Sequence, residues 1–237
     1  MHITVTGSHG FIGSHLIQHL SKDNVLDCWD TKIQKNIADF HIDRTDLIIH
    51  LAALAGIRES FEQADDFWKT NVEYTKHVFD VAEKSNTRVI YASSSACKKW
   101  FGNPYSISKY VNEFIAPPNS VGLRFSTVWG EGARGDMLVP QIQNKTLKFA
   151  TQHKRDLIHV TDVVSAIQTI IDHPEQTGVF EVGTGKTIKV DELVAYNGLD
   201  VPIQHGQDYE LEENLLPSHR LRGLGWTPKK DIMDSKL

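Results

Sequence analysis

A glycine-rich stretch, Thr6-Gly7-Ser8-His9-Gly10-Phe11-Ile12-Gly13, joins a short apolar strand at 3–5 to a helix predicted over 11–20. Gly7 permits a sharp turn, Gly10 removes a side chain where a pyrophosphate would approach the backbone, and Gly13 lets the helix press against the strand. The free amides and the dipole at such a helix N-terminus attract an anion. Because the glycines lie between a strand and a helix, they predict a dinucleotide-binding turn.

An acidic residue follows the second predicted strand, at 25–29. Asp30 lies some 20 residues past the glycines, where a carboxylate would accept hydrogen bonds from an adenine-ribose diol and repel a 2′-phosphate. The sequence therefore favours NAD over NADP as the cofactor. A second interpretation, in which Asp30 only starts a turn with Thr31, stays open.

Short apolar strands alternate with helical periodicity along most of the chain. This alternation predicts an α/β fold, a Rossmann-type doubly wound parallel sheet with helices on both faces. The pattern loosens between Ser126 and Arg155 and again after Gly183, and we expect these pieces to form a small discontinuous C-terminal substrate lobe. The predicted domains are a NAD-binding domain over 1–125, its sheet completed by 157–183, and a mainly substrate-binding lobe over 126–237. Strands are predicted at 3–5, 25–29, 47–51, 88–92, 121–125 and 179–182.

The composition excludes several classes of protein. A net charge of −5 and a pI near 6.2 give no global attraction to nucleic acid or to an anionic membrane. Cys28 and Cys97 show neither metal-ligand spacing nor a disulfide framework, so no metal site is predicted. The first residues already read as a strand, and the longest apolar stretch, 47–57, is shorter than the roughly 20 residues that span a bilayer. We expect a cytoplasmic protein that acts on a small molecule.

The candidate catalytic residues are a serine run and a tyrosine–lysine pair. Ser93-Ser94-Ser95 follows a strand, and Tyr105 and Lys109 lie four residues apart on one face of the next helix. Bringing a tyrosine pKa from about 10 to about 7 takes roughly 4 kcal/mol, and one positive charge at about 5 Å supplies roughly 3 kcal/mol. Lys109 and an oxidised nicotinamide together would suffice. We predict Tyr105 as the base, Lys109 as the residue that holds its phenolate form, and Ser95 as a hydrogen-bond partner of the reacting oxygen.

Taken together, these motifs resemble the extended short-chain dehydrogenase/reductase family, the NAD-dependent epimerases and dehydratases, in an unusually short form. The resemblance is greatest to UDP-sugar 4-epimerases, and it extends over almost the whole chain. The matching blocks lie at 6–13, 50–53, 55–58, 70–72, 91–96, 104–113, 123–125, 155–163, 182–185 and 224–228.

The resemblance implies roles for individual residues. Ser95, Tyr105 and Lys109 match the family's catalytic Ser/Thr, Tyr and Lys, and Ser95 would also contact the substrate. Arg155 matches an arginine that holds the nucleotide diphosphate, and Arg134 is a weaker candidate for the same anion; either could instead be a surface salt-bridge partner. The turn and the resemblance together nominate these cofactor-binding residues: Gly7, Gly10, Phe11, Ile12, Gly13, Asp30, Leu51, Ala52, Ala53, Tyr105, Lys109 and Phe125.

Several departures from the family pattern limit what carries over. The stretch between Asp30 and Leu47 is compressed, which predicts the loss of a whole strand or helix. The usual Tyr-Gly after the serine run is replaced by Cys97-Lys98-Lys99-Trp100, so substrate contacts there do not transfer. Ala116-Pro117-Pro118 predicts an early end to the catalytic helix.

The function expected from these residues is epimerisation of a nucleotide sugar, with a UDP-sugar favoured, through a transient 4-keto intermediate. Dehydratases of the family place Asp-Glu after the Ser/Thr, whereas this chain has Ala96 and Cys97 there. The alternatives are a nucleotide-sugar dehydratase or an NAD(P)-dependent reductase of the same family, and a non-catalytic NAD or sugar-nucleotide binder. A homodimer is expected only by family analogy.

Overall fold

The computed structural model describes residues 1–235 and is built on a six-stranded parallel sheet. Its strand order is β2-β1-β3-β4-β5-β9, which confirms the predicted α/β, Rossmann-type sheet. Each strand pairs in register with its neighbour, as in Val5 opposite Cys28 on one side and Ile49 on the other. The strands are β1 His2–Thr6, β2 Val25–Trp29, β3 Leu47–His50, β4 Arg88–Ser94, β5 Val121–Phe125 and β9 Gly178–Val182.

Helices cover both faces of this sheet, because successive apolar side chains of each strand point to opposite faces and form two apolar cores. Ile3, Val5 and Ile49 pack with the helices α1 and α7, while Ile48 and Val89 point the other way and pack with α4. The helices are α1 Phe11–Leu20, α2 Glu59–Glu62, α3 Ala64–Trp68, α4 Tyr74–Ser85, α5 Pro104–Ile115, α6 Leu138–Gln143, α7 Val160–Asp172, α8 Val190–Tyr196 and α9 His219–Gly223.

The compressed stretch between β2 and β3 contains only two 3₁₀ turns, Thr31–Ile33 and Ile37–Asp39. β2 is therefore an edge strand of the sheet. Phe40, in this stretch, packs edge-on against Trp29 of β2 at a ring-centroid distance of 5.1 Å. The chain thus reaches β3 directly, and β3 pairs with β1.

The two loosely patterned segments meet in a separate apolar core. Trp129, Ile142 and Ala150 from the first segment pack with Leu193 and Val194 from the second. Two small sheets accompany this core, a parallel pair β6 Thr127–Trp129 with β8 Leu157–His159 and an antiparallel pair β7 Lys154–Arg155 with β10 Ile188–Lys189. Within 157–183, Gly178–Val182 joins the central sheet and Leu157–His159 does not.

Candidate active site

The glycine-rich turn has the crowding that its sequence predicts. Gly7 has a φ of +68°, and a Cβ there would lie 2.7 Å from the backbone nitrogen of Ala52. A Cβ on Gly13 would lie 2.0 Å from the carbonyl oxygen of Gly7. Gly10 begins α1 without a side-chain cap, which leaves first-turn amides available to an anion. The turn therefore fits a dinucleotide pyrophosphate. Phe11 and Ile12 are partly buried against the core below it.

Asp30 lies beside this turn and also caps the following 3₁₀ turn. Its Oδ2 accepts a hydrogen bond from the backbone nitrogen of His9 at 3.0 Å, and its Oδ1 accepts one from that of Lys32 at 2.9 Å. The turn-forming interpretation is thus observed. Each carboxylate oxygen keeps a further lone pair, so the same side chain retains the capacity to accept from a ribose diol.

A buried hydrogen-bonded chain fixes the backbone after β3, where Leu51, Ala52 and Ala53 lie. The Nδ1 of His50 lies 2.6 Å from the Oγ1 of Thr6, and its Nε2 lies 2.9 Å from the Oγ1 of Thr75. Burial and the Lys109 charge lower the pKa of His50 to about 3, so this imidazole is neutral. Thr6 also accepts from the Ala52 nitrogen at 3.3 Å, which ties that loop to β1.

Asn71 clamps the same loop to the helix that carries the catalytic candidates. It lies in a π-helical turn, Lys69–Glu73, and its side chain both accepts from the Leu54 nitrogen at 2.8 Å and donates to the Leu54 carbonyl at 2.9 Å. A third bond donates to the Ser108 hydroxyl at 3.1 Å. The loop after β3 and α5 are therefore held in one arrangement.

Tyr105 and Lys109 lie one turn apart on α5, with Lys109 buried and Tyr105 half-buried. The helix begins after Asn103, whose Oδ1 accepts from the Ser106 nitrogen at 2.8 Å, and Pro104 occupies its first turn. The Lys109 amine donates to the Ala92 carbonyl of β4 at 3.1 Å. Ser94 acts to lower the pKa of the Tyr105 phenol, and both Ser94 and Ser95 line the same cavity.

Burial dominates the acid–base properties of this pair. It raises the pKa of Tyr105 above its ordinary value, against the hydrogen bond with Ser94 and the charge of Arg134. It lowers the pKa of Lys109 to about 8. In the protein alone, Tyr105 is therefore protonated at neutral pH and is not a base. Formation of its phenolate depends on added positive charge, such as that of an oxidised nicotinamide.

A buried ion pair lies behind the serine run. Glu113 accepts two bonds from the Arg124 guanidinium, at 2.8 and 2.6 Å, and a third from the Ser93 hydroxyl at 2.5 Å. Cys97 lies beside them, and burial together with the Glu113 charge raises the pKa of its thiol to about 11. Since Glu113 is one turn beyond Lys109, this cluster fixes the end of β4 against α5.

A cavity of about 180 Å³ joins the catalytic candidates to the C-terminal segments. Among the residues that line it are Ser94, Ser95, Tyr105, Ser126, Arg155 and Glu210. The Arg155 side chain is largely buried and forms an ion pair with Glu210, with 2.9 Å between Nη2 and Oε2. Arg155 is thus in the cavity, as expected for a substrate-binding residue, but its charge is already paired.

Arg134 lies at the edge of the site and also has a carboxylate partner. Its Nε and Nη2 each donate to Asp136 at 3.0 Å, and its Nη1 donates to the Ala55 carbonyl at 2.8 Å. The salt-bridge interpretation of this residue is therefore observed. Its charge still reaches Tyr105, where it acts to lower the pKa of the phenol.

Asp156 joins the end of β5 to the C-terminal segment. Its carboxylate accepts from Thr184, through both the backbone nitrogen and the hydroxyl at 2.8 Å, and from the backbone nitrogens of Gly185 and Leu216 at 3.1 Å. Ser126, which follows the buried Phe125, donates to it at 3.4 Å. Burial raises the pKa of Asp156, and the hydrogen bonds oppose that effect.

Four residues of this site received no specific role from the sequence. Asn71, Glu113 and Asp156 lie inside blocks that resemble the family, so the sequence marked their positions but gave these side chains no role. Glu210 lies outside every block, and nothing in its local sequence pointed to the cavity. Within residues 1–235, no three His, Cys, Asp or Glu side chains are grouped to hold a metal ion, and no helix is long and apolar enough to cross a bilayer.

Solved structures share this fold over nearly their whole length. A UDP-N-acetylglucosamine 4-epimerase from Methanobrevibacter ruminantium superposes with a TM-score of 0.85 at 20% identity, over 97% of this chain and 93% of that one. TunA, an NAD-dependent NDP-hexosamine 5,6-dehydratase, superposes with a TM-score of 0.86 at 21% identity, over 98% and 94%. At these identities the likeness establishes the fold.

Curated relatives and a family model match the sequence itself. A putative UDP-glucose 4-epimerase of Methanocaldococcus jannaschii is 27% identical over 98% of this chain and 95% of its own length. An ADP-L-glycero-D-manno-heptose-6-epimerase of Brachyspira hyodysenteriae is 26% identical over 77% and 76%. The model of the NAD-dependent epimerase/dehydratase family matches residues 3–183. With the NAD-type turn and the tyrosine–lysine pair in place, the chain belongs to the NAD-dependent epimerase/dehydratase family and is an NAD-dependent enzyme.

Proposed function

We propose that the enzyme epimerises a nucleotide sugar, a UDP-sugar by preference, at C4 through a transient 4-keto intermediate. The observation that carries this proposal is the shared cavity, in which Tyr105, Ser95 and Arg155 line one space. The putative UDP-glucose 4-epimerase that matches nearly the whole chain supports the same activity.

Each side chain has a definite part in the proposed reaction. Tyr105 takes the proton from the sugar hydroxyl, and Ser95 donates a hydrogen bond to the reacting oxygen. Ser94, which acts to lower the pKa of the phenol, supports the phenolate form. Lys109 is assigned the same part. Bound NAD supplies a hydride acceptor that can return the hydride to the opposite face of the sugar. The two residues proposed to hold it are Asp30, at the adenine ribose, and Lys109, at the nicotinamide ribose.

The residues after the serine run favour epimerisation over dehydration. Removing water requires an acid to protonate the departing hydroxyl. Ala96 and Cys97 occupy these positions, and a buried thiol with a pKa of about 11 is a poor proton donor at neutral pH. A dehydratase stays as the second candidate, because TunA has the same fold over nearly the full chain.

The proposed binding of NAD and of the nucleotide sugar is divided between two parts of the chain. The segments after residue 126 would bind the nucleotide sugar, while residues 1–125 with β9 would bind NAD. We also propose that it is a cytoplasmic homodimer, by analogy with the family. Size-exclusion chromatography with light scattering tests the dimer.

Proton NMR of the purified enzyme with NAD tests the activity. UDP-glucose, UDP-galactose, their N-acetyl forms and UDP-glucuronate are each incubated with the wild type and with Tyr105→Phe. Interconversion of one C4 pair is expected in the wild type, with a rate about 100- to 10,000-fold lower in the variant. NAD affinity measured by calorimetry should be similar in both proteins. Formation of a 4-keto-6-deoxy sugar would identify a dehydratase, and a lack of any change would refute the proposal.

A further inference from the structure

A segment near the C-terminus crosses the substrate cavity. This strap, residues 207–211, is held mainly through its backbone by side chains of the cavity wall. Asn103 donates to the strap at 3.0 Å, Lys99 at 3.2 Å and Arg155 at 2.8 Å; the accepting carbonyls belong to Tyr209, Glu210 and Leu211 respectively. Lys99 donates also to the carbonyl of Asp208.

One side chain of the strap, that of Glu210, points at Arg155 of the cavity and at two neighbouring basic residues. The Oε2 of Glu210 lies 2.9 Å from Nη2 of Arg155 and 3.6 Å from Nδ1 of His153, while its Oε1 lies 3.7 Å from Nη2 of Arg58. The carboxylate is only 16% exposed. Two guanidinium groups converging on one anion is an arrangement that also suits a phosphate.

The small volume of the cavity indicates that the strap occupies part of the space that a bound ligand would need. Its volume of about 180 Å³ is below the roughly 300–1,000 Å³ that is usual for ligand sites, and a nucleotide sugar is a large ligand. The carboxylate and a diphosphate would need the same guanidinium donors of Arg155. Both protons of Nη2 are engaged, by Glu210 at 2.9 Å and by Nδ1 of His153 at 3.0 Å, so a diphosphate that binds at this nitrogen has to displace the carboxylate.

We propose that Glu210 is an internal competitor for the substrate's diphosphate, and that the strap must release Arg155 before a nucleotide sugar binds. This inference rests on the proposed function. The apparent affinity for the nucleotide is then reduced by the fraction of molecules in which Arg155 is still paired. Glu210 thereby sets the substrate affinity without touching the reacting atoms.

Titration calorimetry with UDP, on the enzyme saturated with NAD, tests the proposal. Glu210→Gln should bind UDP about five- to tenfold more tightly than the wild type. Glu210→Asp keeps the charge, but its side chain is one methylene shorter and reaches Arg155 less well. This variant should therefore also bind UDP more tightly, and it replaces Glu210→Gln in the test if that variant does not fold. Glu212→Gln removes the same charge from an exposed neighbour and should leave the dissociation constant unchanged.

The outcomes separate this inference from the proposed function. Equal or weaker UDP binding by both Glu210 variants would overturn it and make Glu210 a residue that positions Arg155. An equal gain in Glu212→Gln would also overturn it, because general charge would then be the cause. If neither the wild type nor any variant binds UDP while all bind NAD, the proposed nucleotide-sugar substrate is wrong.

Discussion

Lys109 is a buried cation whose titration should be visible in the stability of the protein. Its pKa falls from 10.5 in an ordinary environment to about 8 because of burial. Below about pH 8 it is protonated in both folded and unfolded chains, so its burial penalty is constant. Between about 8 and 10.5 the unfolded chain binds a proton that the folded chain has lost, so stability rises with pH.

Replacement by methionine, Lys109→Met, removes this dependence. The free energy of unfolding of the wild type, relative to the variant, should rise by about 3 kcal/mol across that window and stay flat below it. Urea unfolding at a series of pH values measures the difference. Lys84→Met, at an exposed position on α4, should give a difference that does not vary with pH. A flat difference for Lys109→Met would mean that the amine has an ordinary pKa in the fold.

The ion pair between Glu113 and Arg124 should contribute strongly to stability, because Glu113 is buried. Its side chain is 8% exposed, and replacement by Gln removes the charge that pairs with Arg124 and turns one of the two accepting oxygens into an N–H₂ donor facing the same donors. Glu113→Gln should lower the free energy of unfolding by about 2–3 kcal/mol. Asp80→Asn breaks an exposed pair with Lys76 and should cost less than about 0.5 kcal/mol. Denaturant unfolding compares the two, and similar losses would contradict the buried network.

At the scale of elements, the central strands and helices follow from periodicity alone. The strand expected at 25–29 is observed with those bounds, and the helix expected over 11–20 is α1. The serine run was harder to interpret, because three identical residues hide which hydroxyl faces Tyr105. Ser94 ends β4 and Ser95 begins a 3₁₀ turn, so strand alternation stops between them and the direction of each hydroxyl depends on tertiary contacts.

Helix α1 can be placed against its strand only if residue 13 has no side chain. A Cβ there would meet the Gly7 carbonyl oxygen at 2.0 Å. Gly13→Ala should therefore shift α1, lower the free energy of unfolding by about 3 kcal/mol or more, and weaken NAD binding. Gly223→Ala, in α9, meets nothing within 4 Å and should be neutral or stabilise by up to about 1 kcal/mol. Unfolding and NAD titrations check both, and normal NAD affinity in Gly13→Ala would count against the turn as the cofactor site.

For the whole molecule, the sequence predicted that two distant segments pack together, but not the contacts between them. Ile142 and Leu193 belong to one apolar core, although they come from different segments of the sequence. Such contacts depend on how loops close in space, and the apolar pattern along these segments is too irregular to define them. The strap and the ion pair of Glu210 are of the same kind, since each joins residues that are far apart in the sequence, such as Lys99 and Arg155 with Glu210.

Asp156 is one of the residues that join the end of β5 to the C-terminal segment. Its carboxylate accepts from donors on Ser126, Thr184, Gly185 and Leu216, so Asp156→Asn would set an amide N–H₂ against N–H and O–H donors. We expect a loss of about 3–5 kcal/mol in the free energy of unfolding. UDP affinity should fall at least about tenfold, because the cavity wall moves, while NAD affinity should change less than about threefold.

Asp162→Asn provides the matched control for this prediction. Asp162 is also buried and also accepts two backbone bonds, at 3.0 Å from the nitrogens of Lys229 and Lys230, but these lie away from the cavity. It should lower stability without changing UDP affinity. Calorimetry with each ligand, at a temperature where all three proteins are folded, makes the comparison. If both variants weaken UDP binding equally, the effect follows from lost stability, and Asp156 has no special part in joining the sheet to the substrate cavity.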